Sequence, residues 1–187
     1  MIRSSSLRDA MLMQLKELYS AEHQLLRSLP IMKEHATNRK LIDVLHCHLL
    51  DTEGHVERLD DIGAMMQMPF FGRTCKAMRA IIDEGEDLIS QNYGNEGVVD
   101  IALIGTAQRI QHYEMAAYGC SRAIAHELGE ERIASILSQT LDENREVDRK
   151  LTTVAEREVL VQANAPIVFI DGQSPQDGTR KERYSSL

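Results

Sequence analysis

The sequence predicts an all-α protein in which four long helices form a bundle. Three observations predict it. The chain has only four Pro, no Trp and 4% aromatic residues, and strong helix formers dominate the rest. Apolar residues recur every three or four positions through four long segments. The halves of the chain also repeat each other at an interval of 92 positions, the distance from Glu22 to Glu114.

The first helix is predicted over residues 6–35, with Ser6 as its N-cap. Glu22 takes one position of its apolar series, so a carboxylate points towards the core. Pro30 should kink this helix near its end or mark an early break. The apolar series is Leu7, Met11, Leu15, Leu18, Leu25, Leu29 and Met32.

The second helix is predicted over residues 38–66 and ends before the stretch 69–72, which begins with Pro and ends with Gly. Three polar residues, His48, Thr52 and His55, interrupt its apolar series in the middle. Asp51 lies beside them, three positions after His48.

A long connection follows, with a short amphipathic helix over 75–90 and a loop over 91–97. A bundle whose second and third helices are joined by a long connection has the ferritin-like arrangement. The sequence therefore predicts a ferritin-like four-helix bundle with a short extra helix in its middle connection.

The third helix is predicted over residues 98–128, with Glu114 in its apolar series and Gly129 ending it. The fourth is predicted over 130–161, with Glu143 beside its apolar series. Periodicity is lost beyond the bundle, so we expect a single domain over 1–163 and a mobile C-terminal tail over 164–187.

The repeat superposes Glu22 on Glu114 and Asp51 on Glu143. Four acids that face one core need neutralisation, because a bare buried carboxylate costs several kcal/mol. A pair of metal ions would supply it, and His48 lies at i, i+3 from Asp51, so both can reach one ion. Mixed carboxylate and imidazole ligands favour iron or manganese over calcium or structural zinc. The predicted ligands are Glu22, His48, Asp51, Glu114 and Glu143, for two ions.

Neutralisation by protein groups alone is the alternative. The bases at hand are His48, His55, His112, Arg58 and Arg149. Spacing alone leaves open whether His48 or His112 is a nitrogen ligand, although His112 is only two positions before Glu114 and such residues do not share a helix face.

Composition excludes several other classes of protein. A net charge of −8 argues against a nucleic-acid binder. The N-terminal residues lack the apolar segment of a signal peptide, and no stretch is apolar enough to span a membrane. The three Cys are few and widely spaced, which favours a reducing cytoplasm over a disulfide-stabilised compartment.

The motifs resemble the YciE/YciF family of ferritin-like bacterial proteins over residues 5–160. The matching stretches are LYSAEHQ at 18–24, HLLDT at 48–52, RL at 58–59, CKAM at 75–78, HYEMAAYG at 112–119 after Gln108, and LDE at 141–143. The resemblance implies a rubrerythrin-like bundle, a homodimer, a dinuclear iron or related centre, and an association with stress responses.

Three positions depart from the family pattern. Asp51 stands in place of Glu, and the amides of Gln111 and Asn144 stand where the motif has Glu. An amide adds no negative charge, so these changes could weaken metal binding or cost an ion.

Three functions follow as hypotheses. In the first, a dinuclear Fe or Mn centre reacts with O₂ or peroxide, and Tyr113 or Tyr118 acts nearby as a proton donor or radical trap. In the second, the chain is a non-catalytic dimeric stress or scaffold bundle with a weakened site, which the amides Gln111 and Asn144 favour. In the third, it stores iron in a cage.

Overall fold

The computed structural model describes residues 6–91 and 95–164, and within them every regular element is a helix. The elements are α1 (Leu7–His35), α2 (Arg39–Met66), α3 (Lys76–Ser90), α4 (Glu96–Glu127), α5 (Glu131–Val154), a π-helical stretch (Ala155–Val159) and α6 (Leu160–Ala163). The predicted all-α fold is confirmed. Apart from Asn164, the predicted tail lies outside the described residues, and so does the segment 92–94. In the described part of the chain, no helix has the length and apolarity needed to cross a bilayer.

The helix ends follow the sequence signals. The Ser6 hydroxyl accepts a hydrogen bond from the Asp9 backbone N–H, which confirms the predicted N-cap of α1. Gly129 has φ +72°, and the N–H of Glu130 donates to the Ala125 carbonyl at 2.9 Å. That bond closes α4 as a Schellman motif. α1 continues past Pro30 to His35, so the proline does not mark an early end of the helix.

The four long helices form the predicted bundle. α1 packs along α2 and α4 along α5, and contacts of α1 with α4 and of α2 with α5 close the bundle. α3 lies in the connection between α2 and α4 and packs against α4 and α1. This is the ferritin-like arrangement with its long middle connection.

A buried carboxylate joins the α1–α2 turn to the start of α4. Asp100 is 1% exposed and accepts hydrogen bonds from the N–H of Thr37 at 2.8 Å, the hydroxyl of Thr37 at 2.8 Å and the N–H of Asn38 at 2.9 Å. Three donors compensate for the desolvation of this acid. They also set the position of α4 along α1 and α2.

The core consists of two apolar clusters with a polar layer between them. One cluster contains Leu25, Ile110 and Val147, and the other contains Leu18, Tyr118 and Leu141. The layer between them is formed by fully buried polar side chains from all four long helices. They are Glu22 on α1, His48, Thr52 and His55 on α2, Gln111 and Glu114 on α4, and Asn144 on α5.

α3 can approach α4 closely because position 85 has no side chain. A Cβ placed on Gly85 would lie 2.5 Å from Cγ2 of Thr106.

We expect Gly85→Ala to lower the free energy of unfolding by about 1–3 kcal/mol, since overpacking forces the helices apart. The matched control is Gly105→Ala on α4, where a Cβ would meet nothing within 4 Å; it should raise stability by up to about 1 kcal/mol. Urea denaturation of both variants measures this, and equal effects would contradict the packing argument.

Candidate metal centre

Each helix brings a polar side chain to the middle of the bundle because that residue replaces an apolar one in the helical series. Glu22 lies between Leu18 and Leu25, which belong to different apolar clusters. Glu114 lies in the same way between Ile110 and Tyr118. The periodicity that buries the helix face therefore also buries these carboxylates.

Three ligand-type side chains meet at this level. One ligand atom from each of Glu22, His55 and Glu114 lies within 4.8 Å of the others, and all three residues are fully buried. Nδ1 of His55 is 3.3 Å from Oε1 of Glu22. These residues come from α1, α2 and α4, so the folded bundle is needed to assemble the group.

Four further residues surround this group. The Tyr118 hydroxyl donates to Oε1 of Glu22 at 2.6 Å. Nε2 of His48 lies 3.8 Å from Oε2 of Glu114, and Nε2 of Gln111 lies 2.8 Å from Nε2 of His48. On the other side, Nε2 of His55 is 3.1 Å from Oε2 of Glu143. Each of the three ligand-type residues therefore makes a polar contact with at least one residue outside the group.

Glu22 and His55 form a buried ion pair. Burial alone would raise the pKa of Glu22, but the charge of His55 and the hydrogen bond from Tyr118 hold that pKa below its usual value. Burial would lower the pKa of His55, yet Glu22 and Glu143 raise it to about 9. Each partner favours the charged form of the other.

Glu114 and His48 are neutral because burial and a neighbouring group of the same charge disfavour their charged forms. Burial and the nearby Glu22 carboxylate raise the pKa of Glu114 well above its usual value, since two adjacent carboxyl groups cannot both ionise in a dry site. Burial and the charge of His55 lower the pKa of His48 to about 4. Without a bound cation, the centre therefore carries one carboxylate, one carboxylic acid and one imidazolium.

Several atoms of the centre have no protein hydrogen-bond partner. They are Oε2 of Glu22, Oε1 of Glu114, Nδ1 of His55, Oε1 of Gln111, and both amide atoms of Asn144. Buried polar groups are nearly always partnered, and leaving one without a partner costs about 1–3 kcal/mol. The two carboxylate oxygens and the imidazole nitrogen are ligand types for iron and manganese, so the residues fit a metal ion.

The predicted ligands fall into two groups. Glu22 and Glu114 lie in the centre, and His48 contacts Glu114. Glu143 and Asp51 are half-buried and line a groove between α2 and α5. Glu143 contacts the centre only through His55, because its carboxylate also binds Arg58 and accepts a hydrogen bond from Gln139 at 3.0 Å.

His55 was predicted only as a neutralising base, and the structure places it among the ligand-type residues. Its position in the apolar series of α2 was the available signal. His112 is 69% exposed and pairs with Asp148 at 3.5 Å, so it lies away from the centre, and His48 is the histidine that contacts Glu114.

The two tyrosines predicted as proton donors or radical traps lie in different places. The Tyr118 hydroxyl contacts Glu22, and burial raises its pKa well above the usual value. The Tyr113 hydroxyl instead lies 2.9 Å from Sγ of Cys75, on the side of α3. Tyr118 is therefore the tyrosine that can act on the centre.

The two histidines contribute opposite pH dependences to the stability of the metal-free protein. Unfolded His48 binds a proton below about pH 6.5, whereas folded His48 does so only near its pKa of about 4, so the contribution of His48 to stability falls as the pH falls through this window. Folded His55 keeps its proton up to a pKa of about 9, so the contribution of His55 falls as the pH rises above about 6.5.

Denaturant unfolding across pH 4–9 measures these contributions. Between about pH 6.5 and pH 4 we expect the stability of His48→Gln to rise relative to that of the wild type by on the order of 3 kcal/mol, because the variant no longer carries the His48 contribution. The exposed His46→Gln on the same helix is the control. A difference between His48→Gln and the wild type that stays constant over this range would contradict the assignment to His48.

Comparisons with known proteins agree with this fold. A family described as a domain of unknown function, DUF892, matches residues 6–164. Protein YciF of Escherichia coli (strain K12) is 36% identical over 151 residues, which cover 80% of this chain and 90% of the relative.

Two solved structures are also similar. The crystal structure of the E. coli stress protein YciF matches with a TM-score of 0.77 at 35% identity, over 81% of this chain and 95% of that one. YcfI of Rhodopseudomonas palustris, described as a candidate structural protein, matches with a TM-score of 0.78 at 35% identity, over 82% of this chain and 99% of that one. The homodimer and the iron centre implied by the resemblance remain predictions. With its family profile matched across the whole bundle, the chain belongs to the DUF892 family and is a relative of YciF.

Proposed function

We propose that this protein binds a transition-metal ion, iron or manganese, through Glu22, His55 and Glu114 in the middle of its bundle. The observation that carries the proposal is the convergence of these three fully buried side chains, whose ligand atoms lie within 4.8 Å of one another. Each of the three also has an atom without a protein hydrogen-bond partner.

The charges of these residues suit a divalent cation. Two carboxylates and a neutral imidazole balance an M²⁺ ion, provided that Glu114 and His55 release the protons they hold without it. Metal binding is coupled to such proton release at carboxylate and histidine ligands. Tyr118 would keep Glu22 oriented through its 2.6 Å hydrogen bond.

A bound iron or manganese ion would supply redox reactivity towards O₂ or peroxide. The surrounding residues support this use. The apolar clusters on both sides of the layer exclude bulk water. Glu143, which is 28% exposed, contacts Nε2 of His55 at 3.1 Å, so it can pass protons between the α2–α5 groove and the centre. This reaction would make the protein an oxidoreductase. An association with stress is supported by its relative YciF, which is described as a stress protein.

A second candidate is a bundle that works without metal as a stress or structural protein. The observation that favours it is the internal neutralisation of the acids. His55 pairs with Glu22, Arg58 pairs with Glu143, and burial keeps Glu114 protonated. The similarity to YcfI, described as a candidate structural protein, agrees with this function.

Glu114→Gln separates the two functions. An amide mimics the protonated acid, so the free energy of unfolding should change by less than about 1 kcal/mol. It also removes one of the two ligand carboxylates, so metal binding should be lost. Elemental analysis and calorimetric titration with Mn²⁺ measure binding, and circular dichroism measures folding.

Glu127→Gln, an exposed position on the same helix, is the matched control and should bind metal like the wild type. If Glu114→Gln keeps its metal, the assigned ligands are wrong. If the wild-type protein binds none, the metal-free stress or structural function stands.

A further inference from the structure

The two halves of the repeat differ in the polar layer. The residues of α2 from Arg39 to Ile62 have counterparts on α5 at the interval that superposes Glu22 on Glu114. His55 corresponds to Val147, and Thr52 corresponds to Asn144. Di-metal bundles take a carboxylate and a histidine, three positions apart, from each of these two helices. Here α2 retains only the histidine, and α5 retains neither residue.

Asn144 lies in the same layer as the ligand-type residues. It stands between Leu141 and Val147, which belong to the two different apolar clusters. The pairing of α5 with α4 agrees, because His112 contacts Asp148 and Gly119 faces Leu141. The position of Asn144 between these two contacts places it opposite Ala116 of α4. Along the helix axis, Ala116 is about half a turn from Glu114.

The buried amides of Asn144 and Gln111 are not fully satisfied by the protein. Neither amide atom of Asn144 has a hydrogen-bond partner, and neither has Oε1 of Gln111, although both residues are fully buried. A buried polar site with both donors and acceptors retains a small molecule that can satisfy them.

A second cation does not suit this side. Asn144 and Gln111 carry no negative charge, and Val147 offers no ligand atom. Glu143 is held by Arg58 and His55, and the fully buried carboxyl groups that the structure describes in the polar layer are those of Glu22 and Glu114, which belong to the first ion. Burying a second divalent charge without further anions would cost several kcal/mol.

We therefore propose that the α4–α5 side of the centre holds one uncharged hydrogen-bonding molecule, a water bound by Asn144, beside a single metal ion. This inference rests on the proposed metal function. It gives a ratio of one ion per chain instead of the two predicted from the sequence.

Crystals of the wild-type protein grown with Mn²⁺ test the proposal directly through anomalous scattering. We expect one anomalous peak among Glu22, His55 and Glu114, and a water peak without anomalous signal within hydrogen-bond distance of the Asn144 amide. A second anomalous peak beside Asn144 overturns this inference but leaves the metal function intact. A centre with no anomalous peak overturns the metal function itself, and the single-ion statement with it.

Two variants test the same pocket in solution. Asn144→Glu combined with Val147→His gives α5 a carboxylate and a histidine three positions apart, and should raise the Mn-to-protein ratio from one to two. Asn144→Leu keeps the branching and the number of heavy atoms but removes the amide, and should leave the ratio at one. A fall in the ratio for Asn144→Leu would identify Asn144 as a metal ligand and overturn the proposal, even if the double variant failed to fold.

Discussion

Glu22 and Glu114 are buried side by side in a dry bundle, and both cannot be charged unless a cation lies between or beside them. Most polar contacts of the centre reduce the net negative charge that is buried there. His55 is held as a cation next to Glu22, Tyr118 donates to the same carboxylate, and Glu114 keeps its proton. A metal ion would replace these protons with one concentrated charge. Without a cation, the layer therefore limits its buried charge through protons and the Glu22–His55 ion pair.

The bundle builds the layer from buried polar residues of all four long helices, three on α2, two on α4 and one each on α1 and α5. The apolar clusters above and below contribute the burial that offsets the cost of the polar groups. The contacts at the ends of the bundle set the height of these residues, since Asp100 joins the α1–α2 turn to α4 and Gly85 lets α3 lie close to Thr106. A shift of one helix by a single turn would move its polar residue about 5 Å out of the layer.

The sequence predicted the four long helices, the short helix in the connection, and the two acids in the apolar series, Glu22 and Glu114. Hydrophobic periodicity and helix capping are local signals, so they can be read without the tertiary structure. The prediction was less complete for the centre. The repeat pairs Asp51 with Glu143, but the structure places both at the α2–α5 groove, where Arg58 binds Glu143. The structure also brings His55 beside Glu22. A residue one position away from the apolar series points along the surface, and periodicity alone does not show which neighbour reaches the interior.

The sequence by itself determined the all-α class, the helix ends at Ser6 and Gly129, and the burial of Glu22 and Glu114, because each depends on residues within a few turns of one another. Only the tertiary structure decided which groups meet. The proximity of Glu22, His55 and Glu114 depends on the rotation and axial position of three helices that are far apart in the chain. So does the direction of each pKa shift, since desolvation and the charge of a neighbour exist only after the helices have packed.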